Sequence, residues 1–141
     1  MKKLVFKWTV EEEVMVVVSG DGVMTEDLWA RHMDDLQNKP VSRVLGFNIG
    51  TVSVTSVQRK QASDIAKQRG TFSIIVSDSA MTRGIITAVS WLGANIKAFP
   101  WSEKDRAYSA LDLEPEAESS VRKRAEALLK ECEAEIKAQG K

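Results

Sequence analysis

The run Val14-Met15-Val16-Val17-Val18 decides the fold. It is apolar throughout and almost wholly β-branched, which suits a strand buried on both faces, the position of an inner strand in a parallel sheet. Ser19-Gly20-Asp21-Gly22 breaks the chain directly after it. On the other side, Leu4, Phe6 and Trp8 alternate with Lys3, Val5 and Lys7, the period of a half-buried strand. Strands are therefore expected over residues 3–9 and 13–19, with Glu11-Glu12-Glu13 as a solvated turn between them.

Downstream, strand and helix patterns alternate. Thr25 is a good N-cap, with Glu26 and Asp27 in the first turn, and Leu28, Trp29, Met33 and Leu36 recur at helical spacing until Asn38-Lys39-Pro40. Residues 42–49 read as a strand. A loop or strand end runs to about Thr55, and a helix follows to Gly70. Thr71–Val76 is a short buried strand, and Met81, Ile85, Ala88, Val89 and Leu92 share one face of the next helix. Gly93-Ala94-Asn95 turns the chain into a last strand, Ile96–Phe99, which Pro100 stops. Ser102 and Asp105 then stand in a capping-box relation ahead of Ala107, Tyr108 and Leu111. The order β-β-α-β-α-β-α-β-α implies an α/β fold. Its sheet is mixed but mainly parallel, with the first two strands as an antiparallel hairpin.

Glu114-Pro115-Glu116 marks a boundary, so the reading is an α/β domain over residues 1–113 and a helical extension over 114–141. In the extension, Val121, Ala125, Leu128, Cys132 and Ile136 form a stripe over residues 119–138. The stripe suits docking on the chain's own core, or on a second copy as a homodimer.

Bulk properties narrow the function. Lys+Arg and Asp+Glu cancel at 20 each, so there is no general attraction for nucleic acid or anionic lipid. The single cysteine, Cys132, precludes an internal disulfide and suits a reducing compartment. The apolar N-terminal run is interrupted by Lys7 and Glu11-Glu12-Glu13, and no stretch reaches the length of a membrane span. A cytoplasmic protein is expected.

Catalytic chemistry is sparse. His32 is the sole histidine, mid-helix beside Arg31, and reads as a solvated surface residue. No spacing of ligands supports a metal site, no glycine-rich phosphate loop is present, and no cofactor is expected. Without a nucleophile–base pair, the chain reads as a non-enzyme. Three places can carry binding. Ser53, Thr55 and Ser56 stand where a strand gives way to a helix; hydroxyls there cap the helix, and the same position suits a phosphate. Ser77-Asp78-Ser79 with Thr82 and Arg83 lies at the carboxyl edge of the sheet, where capping competes with binding of a small anion. Trp101, after Pro100, reads as an exposed contact residue, whereas Trp29 and Trp91 read as core, the latter slightly off its helix's stripe.

The stretch from Arg43 to Leu113 resembles the STAS superfamily, which includes the anti-sigma-factor antagonists, and especially its SpoIIAA-like/STAS-like branch. Three segments carry the likeness: Arg43–Ile49 leading to Thr55-Ser56 and a helix ending Lys67-Gln68-Arg69-Gly70; Ile74-Ile75-Val76-Ser77-Asp78-Ser79 through Ala88–Leu92; and Ile96-Lys97-Ala98-Phe99 followed by Ala107-Tyr108-Ser109-Ala110-Leu111. The resemblance implies a four- or five-stranded sheet with helices on it, and a role in protein–protein regulation. In the antagonists a kinase phosphorylates the serine of an Asp-Ser-x-Gly segment. Ser56 falls closest to that serine, with Thr55 in place of the aspartate and Gln58 in place of the glycine.

The expectation is thus a non-enzymatic regulatory module whose partner is another protein, a regulatory kinase or an anti-sigma-like protein. It would bind through Ser53, Thr55, Ser56 and Gln58, and be switched by phosphorylation near Ser56. The alternative is a small-ligand or lipid-binding domain that uses the cleft near Ser77–Arg83.

Overall fold

The computed structural model describes residues 3–91 and 95–140, with side chains for all of these but 89–91. The expected helix end at Leu92, the turn residues Gly93 and Ala94, and the side chains of Val89 and Trp91 lie outside what is described. In chain order the elements are β1 (Phe6–Glu11), β2 (Val14–Ser19), β3 (Gly22–Val23), α1 (Glu26–Asn38), β4 (Arg43–Asn48) and β5 (Val52–Ser53). There follow α2 (Ser56–Arg69), β6 (Phe72–Val76), α3 (Ala80–Trp91), β7 (Ile96–Phe99), a 3-10 turn (Trp101–Glu103), α4 (Lys104–Ala110) and α5 (Pro115–Gln139).

Five strands form one sheet in the order β1-β2-β4-β6-β7, and β3 and β5 pair in parallel beside it. Only β1–β2 is antiparallel, from Phe6↔Ser19 to Glu11↔Val14; the other main-sheet pairs are parallel. The expected α/β architecture with an antiparallel edge hairpin is what forms. The hairpin turn is tighter than the acidic run suggests. Glu11 still belongs to β1, and only Glu12 and Glu13 turn, both with positive φ (52° and 62°). A two-residue turn with both central residues left-handed matches the strand twist, and the carboxylates keep it in water.

Each parallel crossover links neighbouring strands in one direction. Right-handed crossovers therefore place α1, α2 and α3 on one face. On that face Met15 and Val17 meet Met33, Leu36, Val41 and Ile65. α4 and α5 cover the other, where Val14, Val16, Val18, Leu45, Phe47, Ile74 and Val76 meet Tyr108, Leu111, Val121, Ala125, Leu129 and Cys132. The α5 stripe is thus buried on β1 and β2 of its own chain. α5 also begins earlier than its apolar stripe indicates, because Pro115 occupies its first turn, where a missing N–H costs nothing.

Two local expectations are corrected. Ser102 caps nothing: it lies inside the 3-10 turn, and α4 starts at Lys104 with no side-chain cap. The α3 stripe is turned outward, with Met81 77% and Ile85 59% exposed and Ala88 also exposed. α3 is apolar on several sides, so its period does not select a face. The face is chosen instead by Arg83, whose Nη1 donates to the Ser77 carbonyl at 2.7 Å.

Candidate functional site

The loops β2–α1, β4–α2 and β6–α3 all leave the carboxyl ends of parallel strands and so share one edge of the sheet. Their geometry is tightly specified. Asp21 Oδ1 accepts from the Thr51 N–H at 2.6 Å, and a Cβ at Gly50 would come within 2.5 Å of the Asp21 backbone nitrogen. The Met24 N–H donates to the Ser53 carbonyl at 3.0 Å. The β3–β5 pair thus ties the first loop to the second and places Val23 opposite Ser53.

Thr55 is the N-cap of α2. Its hydroxyl accepts from the Gln58 N–H at 3.0 Å, and Gln58 Oε1 accepts from the Thr55 N–H at 2.9 Å, a reciprocal capping box. Gln58 is therefore a structural partner of Thr55. Ser56 is the first residue of α2 and is exposed; among the described residues its hydroxyl has no partner. A phosphoryl group on Ser56 would sit against the positive end of α2 without breaking a bond, whereas one on Thr55 would dismantle the cap. Ser53, Thr55, Ser56 and Gln58 are thus brought together.

Ser77, Asp78, Ser79 and Arg83 are also brought together, but their polar groups are engaged. Ser77 Oγ accepts from the Ser79 N–H at 3.2 Å, and Ser79 Oγ accepts from the Thr82 N–H at 3.1 Å. Asp78 Oδ1 accepts from the Trp101 N–H at 3.1 Å. Strand order never reverses in this sheet, so the splayed crevice that holds ligands in doubly wound folds does not arise here. Trp101 is half-buried. Its ring packs on Phe47 with centroids 5.5 Å apart, and its Nε1 donates to the Asn48 carbonyl at 3.1 Å. The expectation of an exposed residue is corrected: the half-buried Asn48 carbonyl at the end of β4 holds the indole against the domain.

The same edge carries what the serines alone did not reveal. Val23 (73%), Val57 (76%) and Met81 (77%) are large apolar residues left open to water, with Ile85 one turn further along α3. Val23 pairs with Ser53, Val57 follows Ser56, and Met81 opens α3. The sequence places Val57 and Met81 in the first turns of helices, but nothing in it marks them or Val23 as exposed.

His32 is the other correction. It is 8% exposed, walled by Trp8, Phe6 and Trp29 at centroid distances of 4.7, 5.0 and 5.8 Å. Its Nδ1 has no partner. Burial pushes its pKa down to about 4, against the opposing pull of Asp35. Asp35 accepts from Trp8 Nε1 at 2.8 Å, which holds its carboxyl below the usual range. Trp29 is only half-buried, its Nε1 donating to Gln61 Oε1 at 2.9 Å, so it is less a core residue than its helix position suggests. Cys132 is buried among apolar groups, which pushes its thiol up to about 11 and away from nucleophilic use. Among the described residues no group of three or more His, Cys, Asp or Glu is arranged to hold a metal ion, and no helix is long and apolar enough to cross a membrane.

Compared with protein-family models and with curated proteins, the chain matches none.

Proposed function

We propose that the chain is a STAS-like, non-enzymatic regulatory module that binds another protein through the carboxyl edge of its sheet. The observation that carries the proposal is the set of exposed apolar side chains, Val23, Val57 and Met81, on the same sheet edge as the exposed Ser56 at the start of α2. Large apolar groups left open to water along one edge are what a protein interface buries. Ser56 supplies the switch: a phosphoryl group there adds about two negative charges beside Val57 without disturbing the capping box.

The test immobilises the chain and exposes it to native lysate. The wild-type chain should retain a protein that the Val57→Asp/Met81→Asp variant does not. Ser56→Asp should change the amount retained, with circular dichroism unaltered in both variants. If all three chains retain the same proteins in the same amounts, the proposal fails.

A further inference from the structure

A second surface lies along the outer edge of the sheet, away from Ser56. Among the described residues β1 pairs with β2 and with no other strand, so its other side is open. The Gly20 N–H donates to the Val5 carbonyl at 2.7 Å. In the alternation of an antiparallel pair, Val5, Lys7, Thr9 and Glu11 then face β2, while Phe6, Trp8 and Val10 turn their backbone N–H and C=O outward. These groups look into a groove of about 480 Å³ along residues 6–9. Consecutive strand residues from both faces line it. One wall is α1, through Leu28 and Arg31; the other is α5, through Arg124, Leu128 and Glu131. The groove is thus a slot at a strand edge between two helices, bordered by strand peptide groups that β2 does not pair.

Charge selects the occupant. Among the described residues, neither Arg31 nor Arg124 meets a carboxylate; Arg124 Nε donates only to Thr9 Oγ1 at 3.2 Å. Lys7, by contrast, is held by Glu131 and Glu135, each at 3.0 Å. Two uncommitted guanidiniums therefore stand one on each wall. In an added strand, the residue opposite Trp8 projects toward α1, and its neighbours project toward α5. Two adjacent carboxylates would thus be directed one to each arginine-bearing wall, which gives an acidic segment a complementary charge on both sides. We propose that β1 accepts an extended acidic peptide segment as a sixth strand, with neighbouring Asp or Glu side chains divided between Arg31 and Arg124.

The test titrates the full chain with a fluorescein-labelled peptide, acetyl-Val-Thr-Glu-Glu-Val-Thr-amide, and with its Lys-Lys counterpart. The Glu-Glu peptide should bind, more weakly as salt is raised, and the Lys-Lys peptide should not. Arg31→Glu/Arg124→Glu should weaken binding by about tenfold or more, while Arg59→Glu on α2 leaves it unchanged. Bound peptide should protect the amides of Phe6, Trp8 and Val10 from hydrogen exchange. No binding up to about 1 mM, equal binding of the two peptides, or an unchanged affinity in the double variant overturns the proposal. So does a dimer in sedimentation that protects the same amides without peptide, because a second copy then holds the edge.

Discussion

The two faces of the sheet solve burial differently. Under α4 and α5 the core is continuous and its polar groups are partnered. Tyr108 is buried, yet its hydroxyl donates to Glu126 Oε2 at 2.7 Å, and Lys104 Nζ stands 3.0 Å from the same carboxylate. Arg122 lies over the Tyr108 ring at 4.5 Å and pairs with Asp105. Under α1 and α2 the core is smaller, and it contains an imidazole whose Nδ1 has no partner. The first face therefore supplies most of the stability, while the second carries the sensitivity to conditions.

The comparison can be broken at several points. Phe47→Ala, which empties the larger core, should cost about 4 kcal/mol by urea denaturation, and Met33→Ala on the other face about 2.5 kcal/mol. Equal losses would remove the distinction. Acid is the next lever. The folded protein holds His32 neutral down to about pH 4, whereas the unfolded chain takes up the proton near 6.5. Stability is thus complete above that value and falls by up to about 3 kcal/mol as pH drops to about 4. His32→Leu should flatten this slope. The Asp35 carboxyl, held low by Trp8, gives a separate loss only at still lower pH. A His32→Leu slope equal to wild type would place the sensitivity elsewhere.

Arg69 sharpens the comparison further. α1 has no basic residue in its last turn, and Arg69 of α2 substitutes by donating to the Leu36 and Lys39 carbonyls at 2.5 and 2.7 Å. Arg69→Met should cost about 1.5 kcal/mol in thermal denaturation. Tyr108→Phe should cost least, about 1 kcal/mol, because Lys104 still holds Glu126.

What was legible in the sequence followed from local pattern. The β-branched run, the Thr25 and Thr55 caps and the βα alternation located the sheet and most helices. The misses arose where a distant group decided the outcome. His32 follows Leu28 and Trp29 at helical spacing and so falls on the buried side, but its charged neighbours Arg31 and Asp34 suggested water. Aromatic residues from β1 closed over it. Likewise, Trp101 is held by an acceptor contributed by β4, and the outward face of α3 by a bond from Arg83 to the end of β6. At the proposed interface, the serines were visible from the start. The exposure of Val23, Val57 and Met81 was not, because it depends on which loops share an edge.

The return of α5 to β1 has a consequence for synthesis. The sheet can be laid down strand by strand as the chain emerges, since each new parallel strand joins the one before it. The face of Val5, Val14, Val16 and Val18 is the exception, for its cover is Val121, Ala125, Leu129 and Cys132. On the order of a hundred residues separate the two, an interval of ~5–20 s at typical elongation rates. During that time the first hairpin made is the last to be shielded. A chain cut before α5 would leave that valine surface open, so removing residues 115–141 should produce an aggregating protein rather than a trimmed monomer.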